Sequence, residues 1–219
     1  MNDDRLNDLR AGYDRVAAEY AVRIGGELAV KPFDRTILDR FATLTRPLGP
    51  VADLGCGPGH VAAYLHDRGI DVIGIDLSPA MIEQARTLNP EIPFRQGSML
   101  EIEENGTLGG IVAFYSVIHV ARDEQPRLFT RWRRALQPGG LLLLSFHIGE
   151  SDRHLDELWG IPVSIDFLYF TRAEIETRLT EGGFAIAESH ERDPYPDVEV
   201  ETRRAYILAR NPAQPVSKS

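Results

Sequence analysis

Between residues 53 and 59 the chain reads Asp-Leu-Gly-Cys-Gly-Pro-Gly, directly after the apolar Val51-Ala52 and directly before a segment with helical spacing. Few folds accommodate such a stretch. Glycines at 55, 57 and 59 permit a tight turn with positive φ, let main-chain N–H groups approach a ligand without Cβ interference, and aim the positive end of a helix at it. The next apolar run, 71–76, closes on Asp76, 21 residues beyond Gly55. A carboxylate there can accept hydrogen bonds from both hydroxyls of a ribose. The plainer reading of Asp76 is the start of a turn before Ser78-Pro79, but the glycine turn upstream favours the ribose.

The rest of the chain supports a parallel sheet around that turn. Short apolar runs alternate with helical segments, the signature of βαβ units buried on both faces. Strands are predicted at 51–55, 71–76, 94–99, 110–116 and 141–147, with helices at 59–68, 78–87 and 123–136, the last stopping at Pro138-Gly139-Gly140. Ser78 is a good N-cap, with Pro79 at the first helical position. Ahead of these lie an amphipathic helix at 3–24, carrying Leu6, Leu9, Tyr13, Val16, Ala17 and Tyr20 on one stripe, and a second helix at 33–45. A looser stretch from 148 to 169 precedes a helix at 172–181. The β-rich runs 184–193 and 203–210 then pair antiparallel across a short Pro-bearing connection. Residues 1–46 are expected to form a helical cap on a core spanning 47–210, with 148–170 a substrate-side insertion and 211–219 a mobile tail.

Charge and cysteine content narrow the ligand. A net charge of −9 argues against nucleic acid, whose binding needs many Lys and Arg to displace counterions, so a small molecule is expected. One cysteine, Cys56, excludes an intramolecular disulfide and fits a reducing, cytoplasmic setting. The start lacks the basic and apolar regions of a secretory signal, and no apolar run approaches the ~20 residues of a membrane span. No His, Cys and acid cluster has metal-ligand spacing, so no metal is expected.

Two ligands compete for the turn. A dinucleotide pyrophosphate usually sits over G-x-G-x-x-G; here the third glycine comes one place early, and Asp53 would repel a pyrophosphate. An acid before the turn suits an ammonium or sulfonium, so the electrostatics favour S-adenosylmethionine. From Tyr13 to Arg210 the chain resembles the class I, Rossmann-like methyltransferases. The resemblance implies a three-layer α/β sandwich around a mostly parallel seven-stranded sheet of order 3-2-1-4-5-7-6, its last strand antiparallel. It implies that Asp53, Gly55, Cys56, Gly57 and Gly59 hold the amino-acid end of the cofactor, that Asp76 binds the ribose, and that Leu77 and Met81 flank the adenine. Gly97-Ser98-Met99 falls where relatives often carry Gly-Asp-Met, so Ser98 gives a weaker adenine contact beside Met99. The run Tyr13-Asp14-Arg15-Val16-Ala17-Ala18-Glu19-Tyr20 resembles the family's N-terminal helix, with Tyr20 either a cap contact or core packing.

Ligands in open parallel sheets gather beyond the carboxyl ends of the strands. The acceptor is therefore expected over the ends of the fourth and fifth strands, where Tyr115, Ser116, His119 and His147 emerge, with Tyr115 also expected to touch the cofactor. Methyl transfer is an in-line displacement, so the protein must align the nucleophile, exclude water and, for a hydroxyl or protonated amine, remove a proton. His119 is the first candidate base and His147 the second, although a histidine at a strand end can equally be structural or orient the substrate. Trp159, Phe167, Tyr169, Phe170 and Tyr195 could enclose the acceptor, and Arg192 or Arg203 could hold an acidic one. The expected reaction is methylation of O or N on a small molecule by a monomer or homodimer. A nicotinamide-dependent oxidoreductase and a non-catalytic cofactor-binding relative are the alternatives.

Overall fold

A computed structural model describes residues 3–103 and 105–213. The elements run α1 (Asp3–Ile24), α2 (Pro32–Thr45), β1 (Val51–Leu54), α3 (His60–His66), β2 (Val72–Asp76), α4 (Pro79–Leu88), β3 (Phe94–Gln96) and β4 (Leu108–Phe114). They continue α5 (Gln125–Ala135), β5 (Leu136–Ile148), β6 (Arg153–Leu158), β7 (Ile161–Phe167), α6 (Arg172–Glu181), β8 (Ala185–Arg192) and β9 (Arg203–Arg210). Seven strands form one sheet of order β3-β2-β1-β4-β5-β9-β8, while β6 and β7 pair separately. Strands β1 to β5 are mutually parallel, and β9 runs antiparallel to both β5 and β8. This is the expected order.

Alternation within fully buried strands makes the three layers. Leu142, Leu144 and Phe146 of β5 join Trp132 and Phe129 of α5 and Leu179 of α6 on one face. Leu141 and Leu143 face the other way, with Phe41 of α2 and Leu65 of α3. A Cβ on Gly110 would stand 2.8 Å from the Phe41 ring, so α2 can lie this close to β4 only over glycine.

The structure corrects several expectations. Pro138-Gly139-Gly140 does not separate α5 from its strand; Leu136 already pairs with Leu108, and the segment bulges before Gly110 pairs with Leu141. Asn211 holds this bulge, its side-chain amide donating to the carbonyls of Arg133, Leu136 and Gln137 at 2.9–3.2 Å. Asn211 is therefore a buried anchor rather than the first residue of a mobile tail, and 214–219 lie outside the described residues. The third strand ends at Gln96, and Met99–Glu101 form a 3-10 turn. The stretch expected to be loose is a hairpin, β6-β7, with one register shift between Leu155 and Glu157. Its two-residue turn places Trp159 and Gly160 at φ of 56° and 81°, the type I′ geometry that matches strand twist.

Helix α1 packs on α4 and β7 and not on the main sheet. Val16 and Ala17 bury against Met81, Val163 and Ile165 in a core of their own. Asp14 fixes the approach, accepting from the Ser78 hydroxyl at 2.5 Å and the Ala80 N–H at 3.2 Å at the start of α4. Helix and hairpin together roof the carboxyl ends of β1, β2 and β4. Among the described residues no helix is long and apolar enough to cross a membrane.

Candidate active site

Under that roof lies a cavity of about 580 Å³. Its floor is the glycine turn. Gly55 and Gly57 have φ of 74° and 53°, and a Cβ on Gly55 would stand 2.4 Å from the Ser116 Cβ. The turn offers room and not donors: the N–H groups of Gly55 and Cys56 both donate to Ile75 O, and that of Gly57 to Asp76 Oδ2 at 2.8 Å. Expecting those amides to face a ligand overlooked that the neighbouring strand end takes them. Asp76 gains from this. Its other oxygen accepts from the Ser78 N–H at 2.8 Å, so the carboxylate is fixed while each oxygen keeps a lone pair for a diol. Burial raises its pKa to about 6 despite those hydrogen bonds.

Asp53 and Gly59, expected at the ligand, do not line the cavity. Asp53 lies behind the turn on fully buried β1, with Oδ2 unpartnered and its pKa pushed up to about 7 by burial. Gly59 caps α3 at φ 85°, and a Cβ there would stand 2.7 Å from the Phe94 ring. Cys56 lines the floor with a buried thiol raised well above its usual pKa by burial, so it is no nucleophile. Leu77, Met81, Ser98 and Met99 line the wall beside Asp76. Ser98 Oγ accepts from Leu100 N–H at 3.1 Å, which leaves its own hydrogen for a ligand. Tyr20 faces the bare backbone of Gly57 and touches Trp159, over which the Arg23 guanidinium sits at 5.3 Å.

The cavity continues to the ends of β4 and β5. Tyr115, at φ 53°, donates its N–H to Ser145 and lines the wall with Ser116, whose hydroxyl donates to Leu54 O. His119 stands in the 3-10 turn after β4, its Nδ1 3.0 Å from Asp166 O and its Nε2 2.7 Å from the Tyr13 hydroxyl. Burial lowers its pKa to about 4. His147 lies between the rings of Tyr115 and Tyr169, with Nδ1 2.8 Å from Thr202 Oγ1. Its pKa falls to about 3 through burial and the charges of Arg204 and Lys31. Both imidazoles are neutral at pH 7.

Other expected acceptor contacts are committed elsewhere. Arg192 donates to Asp34 at 2.6 Å and to both oxygens of Glu199, while Tyr195 stacks on it and accepts from the Phe33 N–H. Neither lines the cavity. Tyr169 supports His147 from behind, Phe170 is fully buried against Phe146, Phe167 abuts His119, and exposed Arg203 pairs with Glu191 and Asp193. Sequence reasoning missed the opposite wall. Lys31 pairs with Glu27 at 2.5 Å and Glu199 at 3.3 Å, and His60 reaches Glu27 at 3.1 Å with Nδ1 left unpartnered. Burial alone would raise the Glu27 carboxyl, but His60 and Lys31 outweigh it and hold it at about 2. The i,i+4 spacing of Glu27 and Lys31 was readable; their convergence with Glu199 was not.

This cavity fits an adenosyl amino acid: a fixed carboxylate for a diol, apolar walls beside it, a turn with glycine at 55 and 57, and an unpartnered buried His60 nitrogen. The sheet order is that of the Rossmann-like methyltransferase fold, and residues 51–140 match the model of the methyltransferase domain family.

Among relatives, the chain is 37% identical over 145 residues to trans-aconitate 2-methyltransferase of Shigella dysenteriae, covering 58% of this chain and 57% of that one. It is 33% identical over 99 residues to N-demethylindolmycin N-methyltransferase of Streptomyces griseus, covering 42% of each. These matches span less than two thirds of either relative. The CcbJ methyltransferase of Streptomyces caelestis shares the fold with a TM-score of 0.67 at 18% identity, over 94% of this chain and 99% of that one.

Proposed function

We propose that this protein transfers a methyl group from S-adenosylmethionine to oxygen or nitrogen of a small-molecule acceptor. The observation that carries the reading is one continuous cavity, with a fixed Asp76 carboxylate beside a bare glycine turn at one end and His119, Tyr115 and His147 at the other. When bound, the cofactor supplies an activated methyl on a sulfonium. Asp76 holds the ribose, Leu77, Met81, Ser98 and Met99 enclose the adenine, and Gly55, Cys56 and Gly57 let the amino-acid end lie against the turn. The unpaired charge of Asp53 acts from behind it. Tyr20 and Trp159 close over the ligand, so that α1 and the β6-β7 hairpin serve as cap and acceptor-side insertion. Water exclusion and alignment then provide most of the acceleration. Ser116, Tyr115 and His147 shape the acceptor's end, and neutral His119 is the proton acceptor. The chain acts in the cytoplasm, as a monomer or homodimer, without nucleic acid.

Calorimetry with S-adenosylhomocysteine and with NAD decides the cofactor. Heat with the former alone is expected; heat with NAD alone would return the oxidoreductase reading, and binding without transfer of labelled methyl to any metabolite in an extract would return the non-catalytic one.

A further inference from the structure

At the opening of the cavity the chain reverses the usual order of polarity. Val30, Val198 and Val200 are 54%, 45% and 57% exposed, whereas Lys31 and Glu199 beside them in sequence have side chains 9% and 1% exposed. Lysine and glutamate are almost never buried unless paired, and burial normally goes first to valine, so folding alone does not account for charges turned in and methyls turned out. Of the five large apolar side chains exposed this far among the described residues, these three line one cavity. They come from two segments, the turn before α2 and the β8-β9 connection, which Lys31 and Glu199 tie together at 3.3 Å.

The inward charges face the acceptor's end. Lys31 Nζ stands 5.6 Å from the centre of the Tyr115 ring, and that ring packs on His147. Arg204, 2% exposed, lines the same wall; its Nε lies 3.3 Å from Glu199 without hydrogen-bond geometry and has no other acceptor. A buried donor in that state has capacity for a ligand oxygen.

We infer that the methyl acceptor is an amphiphile, with a polar head that carries the reacting oxygen or nitrogen and an apolar chain or ring system that leaves the cavity across Val30, Val198 and Val200. Its head sits between Tyr115, His147 and the wall of Lys31, Glu199 and Arg204. This rests on the methyltransferase reading and deepens it by naming the class of acceptor. A wholly polar metabolite would leave the three valines wet, and a wholly apolar one would take water from the charged wall and return no hydrogen bond. The occupant is a ligand and not a second copy of the chain, because the valines are continuous with the cavity lining and three side chains fall far short of the roughly 800 Å² per partner of a stable interface.

The test uses the full chain saturated with S-adenosylhomocysteine, whose binding is measured first. Calorimetry then follows n-alkanols, n-alkylamines and n-alkanoates of four to ten carbons. For at least one head, affinity should rise about two- to fourfold per added methylene, the gain from partly to fully burying it. The double variant Val198→Ser, Val200→Ser should cut that rise by half or more on a logarithmic scale, with S-adenosylhomocysteine affinity within about twofold. Val30→Ser, from the other segment, should act in the same direction. Leu88→Ser is the control: Leu88 is 54% exposed at the end of α4 and does not line the cavity, so the rise should persist. Affinity that does not grow with chain length for any head overturns the proposal, as does the same growth in all the valine variants or an equal loss in Leu88→Ser. Sedimentation showing that the valine variants dissociate a dimer while the rise persists would assign the valines to a contact between copies and overturn it as well. Failure of S-adenosylhomocysteine to bind sinks the methyltransferase reading instead, and the chain-length series is still read on the ligand-free protein.

Discussion

Asp53 shows how a residue recognised for its place in a motif can lie behind the cavity that the motif lines. Its carboxyl is almost wholly buried with one oxygen unpartnered, and it shares the region with Asp76. Both acids have folded pKa values above the ordinary 3.8, so between about pH 4 and 7 the folded chain binds more protons than the unfolded one. Ligand-free stability should accordingly fall as pH rises through that window. Asp53→Asn removes the larger contribution. Thermal melts should show the variant equal to wild type near pH 4 and more stable at pH 8, by on the order of 3 kcal/mol or about 5–10 °C. A variant no more stable at pH 8 would mean that an unseen partner compensates the charge. Tyr13 and His119 illustrate the reverse relation: they are separated by 106 residues in sequence and meet only in the folded chain.

The β6-β7 hairpin and α1 act as one element of the site. A tryptophan at positive φ is an uncomfortable choice for a type I′ turn, where Asn is favoured, and a contact must offset the strain. Trp159 has two, the Tyr20 ring with centroids 5.7 Å apart and the Arg23 guanidinium. Trp159→Asn should therefore leave thermal stability within about 1 kcal/mol, because the turn relaxes as the contacts are lost. It should weaken S-adenosylhomocysteine by up to about tenfold in calorimetry. Unchanged affinity would show that the hairpin tip takes no part in closing the cavity. Part of this element was legible: the 3.6-residue stripe gave α1 its bounds, while 148–169 read only as a looser stretch. The pairing was not, because Trp159 hid a turn that Asn or Asp would have announced.

At the scale of the molecule, a buried ionic network joins α2, the segment before it, and the β8-β9 connection to the cavity wall. Arg192 bonds Asp34 and Glu199, Glu199 bonds Lys31 and Arg204, and the Tyr206 hydroxyl donates to Asp34 at 3.0 Å. Asp34 and Glu199 have side chains 0% and 1% exposed, so removing their shared cation strands Asp34 and leaves Glu199 to Lys31 and Arg204. Arg192→Met should cost about 3–5 kcal/mol and lower the melting temperature by roughly 6–20 °C. A loss under 1 kcal/mol in denaturant melts would show that the network is hydrated in solution.

What the amino-acid order settled unaided was the order of the main sheet and the place of the glycine turn and Asp76 within it. The glycine turn, the acid closing the next strand, the Ser78-Pro79 cap and the apolar runs are local signals, each read within about one element's length. What the folded chain alone decided was the acceptor end. There, neighbours come from distant segments such as Asp34 and Arg192, 158 residues apart, and a long polar side chain looks the same in sequence whether it faces a ligand or a buried partner. Arg192 is spent on carboxylates and Tyr13 is aimed at His119 because tertiary packing places opposite charges, or a donor and a lone pair, within reach.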